Sequence, residues 1–393
     1  MSKSPIVQRT LSTVVANTMK LFPMVSITGP RQSGRTTLCH LVGPGYTYLN
    51  LEIDEHKQFA ETDPGGFLEK YKDGVILDEV QAVPALFPYL QYYTDKRGKN
   101  GEYVLSGSQN FLLMEKITQS LAGRVAVFSL LPFGINEIWP YLPITQRQWP
   151  ELAVKGFYPK LFKEKKMQAK VFYGSYIKTY LERDVRQIIN LRQRRAFQQF
   201  LKLCASHAGQ IFNATEIGSK IGVDSKTISN WLSVLETSYV IYMLPPYFEN
   251  FEKRIIKKPT LYFYDTGLLC HLLNIADADA LENHAMSGAI FENFVITELL
   301  KNAYHRGEQP QAYFWQDSNG REVDLLMEEQ SRLNLYEIKQ GKTIKPEFFK
   351  NLDLLKTLST EKGLNPLTKV VYGGVESYQR QGHEVMSWQK LAD

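Results

Sequence analysis

The chain has 393 residues, more than one hydrophobic core usually serves, so two or three domains are expected. Its 44% apolar and 22% charged residues are those of an ordinary globular protein, and a formal charge of +5 is too mild to argue nucleic-acid binding by itself. No uninterrupted apolar stretch reaches the roughly 18 residues a membrane span needs, and Met1 to Lys20 lacks the apolar block of a signal peptide, so the expected address is the cytoplasm, with no membrane partner.

The first predicted elements form a unit. The apolar run Met24 to Ile27 reads as a strand and Thr37 to Val42 as a helix; between them stand Gly29, Pro30, Arg31, Gln32, Ser33, Gly34, Arg35, Thr36 and Thr37. This stretch fits the phosphate-loop spacing G-x-x-x-x-G-K-[ST], with Arg35 where lysine is expected. Glycines at 29 and 34 let the backbone curl so that its N–H groups face inward, and the dipole of the following helix favours phosphate there, which predicts ATP or ADP as ligand. Thr36 would place a hydroxyl on Mg²⁺. Arginine brings a planar fork where lysine has a compact ammonium, so Arg35 leaves phosphate binding open and puts hydrolysis in question.

Apolar runs recur at Tyr46 to Ile53, Val75 to Val80, Tyr103 to Ser106 and Val125 to Leu131, with spacers long enough for helices. That alternation predicts the α/β class with a mostly parallel sheet. The run Val75 to Leu77 delivers Asp78 and Glu79 at the strand end where an open α/β sheet gathers its ligands. Asp78 suits Mg²⁺, and Glu79 suits orienting or deprotonating a water; the bland alternative is a strand ending in two solvated acids. After the next strand, Ser108 is the small polar residue expected to sense the γ-phosphate or the water.

Taken together, GPRQSGRTT, VILDEVQ, YVLSGSQNFLL and SLAGRVAVFSLLPF resemble bacterial and archaeal AAA-type P-loop ATPases that carry a C-terminal domain of unknown function of the DUF4143 type, over almost the full chain. The resemblance implies an ATPase core with Mg²⁺ as cofactor. It gives Arg124 of SLAGR the look of an arginine finger or sensor for the γ-phosphate of its own or a neighbouring subunit, the latter requiring a homo-oligomer. The alternative is an Arg124 that forms an ion pair at the head of a strand. The family's phosphate loop usually has lysine at the position of Arg35.

From Phe172 to Leu203 helix formers predominate, and the resemblance assigns YLERDVRQIINL to a lid or connector helix. Arg183, Arg186, Arg192, Arg194 and Arg195 make it basic, either as a solvated face or toward a phosphate backbone. Asn213 to Leu232 reads as helix, turn, helix. Asn213 and Glu216 have capping-box spacing, Gly222 fits the turn, Asp224 or Ser225 can cap the second helix, and a β wing is expected near Val240 to Leu244. The second helix would offer Ser225, Lys226, Ser229 and Asn230 to DNA; the even alternative is a packing module with only Lys226 cationic on that face.

In the last third, a helix from Gly288, strand-like Ala312 to Trp315, Arg321 to Leu326 and Leu335 to Lys339 contain Asp324 and an E-x-K unit that look like the restriction-endonuclease PD-(D/E)xK core. Strand alternation puts Glu337 and Lys339 on one face. Asp324 and Glu337 could bind Mg²⁺ with Glu292 as a further carboxylate, while Lys339 activates water. Cleavage, nucleic-acid contact and an inert structural role all remain open. Cys39, Cys204 and Cys270 are too scattered for a disulfide framework or zinc cluster, and no structural metal is expected. The expected organisation is an ATPase core over 1–150, a helical connector over 151–204, a winged-helix-like segment over 205–254 and a nuclease-like domain over 255–393. Three functions compete: an ATPase coupling nucleotide state to domains that contact DNA, a Mg²⁺-dependent nuclease, and a non-catalytic nucleotide-gated interaction module.

Overall fold

The computed structural model describes residues 7–107, 120–181, 193–247, 258–329 and 332–393. Packing divides the chain into two units. The first runs to Phe133 and adds two short returns, Thr237–Tyr239 and Ala303–Glu308; the second holds Gly134–Glu236, Val240–Asn302 and Gln309–Asp393. Each packed unit therefore draws on segments distant in the chain. Among the described residues no helix is long and apolar enough to cross a membrane.

The first unit is built on five strands: β1 Met24–Thr28, β2 Thr47–Asn50, β3 Val75–Asp78, β4 Tyr103–Ser106 and β5 Val125–Ser129. They stand in the order β2-β3-β4-β1-β5, and every neighbour pair is parallel. Helices cover both faces of such a sheet, which is why β1, β3 and β4 are buried at every position. Side chains alternate between two cores. Met24, Val75, Leu77, Tyr103 and Leu105 enter one; Val25, Ile27, Ile76 and Val104 enter the other, with Leu38, Cys39 and Val42 from the helix Arg35–Val42. The parallel α/β sheet expected for residues 24–131 is therefore the one found.

The second unit begins with short helices whose aromatic side chains close around a buried acid. Asp265 accepts hydrogen bonds from the Phe157 N–H (2.8 Å), the Tyr173 hydroxyl (2.6 Å) and the Leu268 N–H (3.0 Å). Helix Arg194–Ser206 packs Phe197 and Phe200 against Trp231 of helix Ser225–Thr237, ring centroids 5.5 Å apart in both pairs. Strands β6 Gln210–Ile211, β7 Ile241–Leu244 and β8 Thr260–Phe263 form a small antiparallel sheet in the order β6-β8-β7.

After the helix Ser287–His305 come β9 Gln311–Gln316, β10 Glu322–Glu329 and β11 Arg332–Lys339, then helix Lys350–Glu361, then β12 Leu367–Tyr372, β13 Tyr378–Arg380 and β14 His383–Ser387. The sheet order is β13-β14-β12-β11-β10-β9. Pairs β9/β10 and β10/β11 are antiparallel, whereas β11 and β12, joined through the helix, are parallel. Leu352 and Leu355 of that helix share a core with Val323, Leu326, Leu335 and Val370.

Candidate functional site

At Thr28 β1 ends, and the chain turns through Gly29 to Gly34 into the helix Arg35–Val42. Gly29 has φ +142°, and a Cβ there would collide with the Leu130 carbonyl oxygen, so only glycine lets the loop leave the sheet at this point. Gln32 (φ 64°) and Gly34 (φ 98°) complete the curl. Inside it, the Ser33 hydroxyl and Arg35 Nη1 are buried without a hydrogen-bond partner. The Arg35 side chain is only 10% exposed. Buried polar groups are nearly always satisfied, so an orphaned guanidinium nitrogen at the head of a helix fits an anion such as phosphate.

Strand parity sets the next layer. Asp78 has the parity of Ile76, and Ser106 that of Val104, so both point to the face covered by the helix Arg35–Val42. There Asp78 Oδ2 accepts from the Tyr48 hydroxyl (2.6 Å) and lies 3.5 Å from Thr36 Oγ1. Its Oδ1 accepts from the Ser106 hydroxyl and from the Glu79 N–H (3.1 Å). Burial and the hydrogen bond to Asp78 push the Tyr48 phenol above its ordinary range. The Cys39 thiol beneath is pushed up to about 12, first by burial and then by the Asp78 charge, and stays a neutral packing group.

Glu79 is buried beside Asp78 but turned differently, its backbone left-handed at φ 53°. Its Oε2 accepts from Gln81 Nε2 (2.6 Å), and its Oε1 lies 3.6 Å from Arg35 Nη2. Thr36 and Thr37 are exposed at the start of the helix, Pro30 is buried, and Arg31 is half-buried.

Two groups that the sequence did not single out hold this loop from behind. Arg9 is buried and donates from Nη1 to the Ser33 carbonyl (2.9 Å) and from Nη2 to the Leu131 carbonyl (2.7 Å). The same Nη2 lies 3.1 Å from His305 Nε2. The Tyr239 hydroxyl lies 2.9 Å from both Thr28 Oγ1 and Ser129 Oγ, tying together the ends of β1 and β5 where the loop begins.

Arg124 stands elsewhere. Val125 pairs with Met24, the first residue of β1, so Arg124 lies at the end of the sheet opposite the phosphate loop, a strand length of about 15 Å away. Its Nε and Nη2 donate to the two oxygens of Asp95, at 2.6 and 2.8 Å. The expectation that Arg124 reaches the γ-phosphate of its own site is thereby corrected: the strand direction forbids it. Ser108 lies outside the described residues, and it is Ser106 that touches Asp78.

In the second unit a cluster of acids surrounds one ammonium. The pairing of β10 with β9 slips by one residue between Val323 and Leu326, a bulge that contains Asp324 and turns it out of the regular register. Asp324 Oδ2 accepts from the Ile338 N–H (2.6 Å) and from Lys339 Nζ (3.2 Å), and Lys339 Nζ lies 2.7 Å from Glu337 Oε1. Glu292 Oε1 accepts from the Tyr262 hydroxyl at 2.5 Å. Burial, then the Asp324 charge, push Glu292 and Glu337 up to about 8 each. Burial alone would lower Lys339, but Asp324 and Glu337 outweigh it and raise it above its ordinary range.

The four predicted residues Glu292, Asp324, Glu337 and Lys339 thus share one neighbourhood, with Glu322 also raised by burial and by Asp324. As they stand, Lys339 bridges Asp324 and Glu337, while Glu292 is tied to Tyr262. Among the described residues no group of three or more His, Cys, Asp or Glu side chains is arranged to hold a metal ion.

The helix pair Ala214–Ile221 and Ser225–Thr237 turns through Gly222 at φ 74°. Asp224 caps the second helix, accepting from the Thr227 N–H (2.8 Å). The capping box expected at Asn213 does not form: Asn213 makes no side-chain cap, and Glu216 pairs instead with Lys220 at 2.8 Å, an ordinary exposed i,i+4 pair. Ser225, Lys226, Ser229 and Asn230 are exposed. Arg194 and Arg195 are exposed too, while Arg183, Arg186 and Arg192 lie outside the described residues.

Three segments of the chain match known protein families. Residues 21–139 match an AAA domain, residues 146–279 a domain of unknown function (DUF8612) and residues 287–391 a domain of unknown function (DUF4143). Two relatives, the uncharacterized proteins Rv2008c of Mycobacterium tuberculosis and Mb2031c of Mycobacterium bovis, are each 30% identical over 323 residues, covering 82% of this chain and 71% of theirs. An uncharacterized protein of Haemophilus influenzae is 20% identical over 71% of this chain and 74% of its own. Among solved structures, the Walker-type ATPase PABY2304 of Pyrococcus abyssi matches 68% of this chain and 96% of its own, at 14% identity and a TM-score of 0.48, too distant a likeness to carry a fold argument.

Proposed function

We propose, for a chain that belongs to the family of the mycobacterial proteins Rv2008c and Mb2031c, that its AAA domain binds ATP with Mg²⁺ and hydrolyses it. The observation that carries this reading is the approach of Thr36 Oγ1 to Asp78 Oδ2, 3.5 Å, beside the orphaned Arg35 Nη1. A phosphate-loop hydroxyl and a carboxylate at the end of β3 are the pair that holds Mg²⁺ in nucleoside triphosphatases, and the loop N–H groups with Arg35 suit the phosphates. When bound, Mg²⁺ would neutralise charge on the β- and γ-phosphate oxygens.

In the reaction a water oxygen forms the new bond to the γ-phosphorus while the bond to the β,γ-bridging oxygen breaks, releasing ADP and phosphate. Glu79, on leaving its contacts with Arg35 and Gln81, is the carboxylate that would orient that water and take its proton, and Asp78 is held in place by Tyr48 and Ser106. Arg124 can serve only a neighbouring copy, so a finger role entails a homo-oligomer. The test is ATP turnover with Mg²⁺ by the wild type beside Thr36→Ala and Glu79→Gln, with ATP binding followed in the same samples. Turnover lost in both variants supports the reading; a wild type that fails to bind ATP at millimolar concentration overturns it.

For the second unit, the succession helix, three strands, helix, strand, with Asp324 opposite the E-x-K strand, favours a PD-(D/E)xK nuclease-like fold. The helix pair with its small sheet favours a winged-helix-like segment whose exposed Ser225, Lys226, Ser229 and Asn230 would meet DNA. A second reading, Mg²⁺-dependent cleavage of DNA, rests on the convergence of Asp324, Glu337 and Lys339. It requires cleavage that disappears in both Asp324→Ala and Lys339→Ala.

A further inference from the structure

We infer that Arg35, together with Gln81, is a positioning residue that clamps Glu79 away from the attacking water, so that ATP is held long after it binds. The inference rests on the reading that this site takes ATP. Its basis is the division of labour within one guanidinium: Nη2 faces Glu79 Oε1 at 3.6 Å, while Nη1 is buried and has no partner. A lysine ends in a single nitrogen, which a phosphate would claim. The planar fork of arginine has two terminal nitrogens, so Nη1 can take a phosphate oxygen while Nη2 stays with the carboxylate.

Glu79 is gripped on its other side as well. Gln81 Nε2 donates to Oε2 at 2.6 Å, and the backbone is in the left-handed region at φ 53°, where a non-glycine residue persists only when its surroundings hold it. Both carboxylate oxygens therefore face donors from the protein, and neither is free to accept the proton of a water without giving one up. Nucleotide binding satisfies Nη1 and need not break either hold. Turnover requires Glu79 to leave them.

The experiment measures kcat, KM and equilibrium ATP affinity for the full-length wild type, Arg35→Lys, Gln81→Leu and the double variant Arg35→Lys/Glu79→Gln. The inference expects Arg35→Lys to raise kcat about tenfold, and Gln81→Leu severalfold, with ATP affinity changed by less than about threefold, because only the chemical step is released. Adding Glu79→Gln should return the rate to background. Retained ATP binding serves as the check that each variant folds. If binding is intact and kcat is unmoved or falls in both single variants, the clamp does not exist and Arg35 is only the phosphate ligand. A wild type that binds no ATP overturns the underlying reading and this inference with it.

Discussion

Two sites in this molecule use nearly the same side chains and balance their charge in opposite ways. At the phosphate loop, Asp78 and Glu79 are met by hydroxyls, an amide and a guanidinium, and one nitrogen of that guanidinium is left over. In the second unit, Glu292, Glu322, Asp324 and Glu337 crowd around one ammonium, Lys339, and burial with the Asp324 charge raises Glu292, Glu322 and Glu337, which favours their neutral forms. The first site is short of an anion and the second is short of a cation. Motifs name residues; only the surrounding donors decide which ligand completes the charge.

The largest expected effect tests the first half of that contrast. Asp78→Asn should lower Mg²⁺-dependent ATP turnover by at least about a hundredfold, since it weakens the one carboxylate placed for the metal. The second unit provides an internal control, because all five tryptophans, Trp139, Trp149, Trp231, Trp315 and Trp388, lie in it. Intrinsic fluorescence melting, which reports that unit, should be unchanged in Asp78→Asn; a shifted melt would mean that the substitution also acts outside the first unit. Arg9→Met, which leaves the Ser33 and Leu131 carbonyls without their donor, should weaken ATP binding about tenfold, measured by titration calorimetry.

Asp324→Ala tests the other half. It strips the Ile338 N–H of its acceptor, and should destabilise the tryptophan-reported unit by about 1–3 kcal/mol in denaturant while sparing ATP turnover. The smallest effect is a pH slope. Glu292 and Glu337 titrate near 8 in the folded unit against 4.5 as ordinary carboxyls, so between those values the folded state binds more protons than the unfolded chain. Their contribution is complete below the unfolded value and is lost as pH rises through the folded one. The fluorescence-detected melting temperature in Mg²⁺-free buffer should therefore fall from about pH 5 to about pH 9, and Glu337→Gln should flatten the slope.

What the sequence disclosed was whatever depends on near neighbours. The phosphate loop, the Asp78–Glu79 strand end and the E-x-K face follow from spacings of a few residues, and strand parity sets the face of Asp78, Glu337 and Lys339. Arg9 met Ser33 and His305 across separations of 24 and 296 residues, and Tyr239 met Thr28 across 211, distances over which periodicity carries no information. Ser106, the last in-register side chain of β4, touches Asp78, a contact that strand parity alone could have indicated. Arg124 could have been judged from strand direction alone: a residue that opens a parallel strand lies at the opposite end of the sheet from the loop that closes its neighbour.

The returns of the chain to the first unit carry a consequence for synthesis. A ribosome that has released residue 139 has made every residue of the loop, of the Asp78–Glu79 strand end and of all five parallel strands, and the AAA match is complete. It has not made the hydroxyl at 239 that ties β1 to β5, nor the imidazole at 305 that meets Arg9. Domains usually fold as they emerge, N-terminal first, but this one must wait. The nascent chain passes through a stage in which its nucleotide motifs are all present and their supports are still untranslated, so a fragment cut at the family boundary would reproduce that immature state.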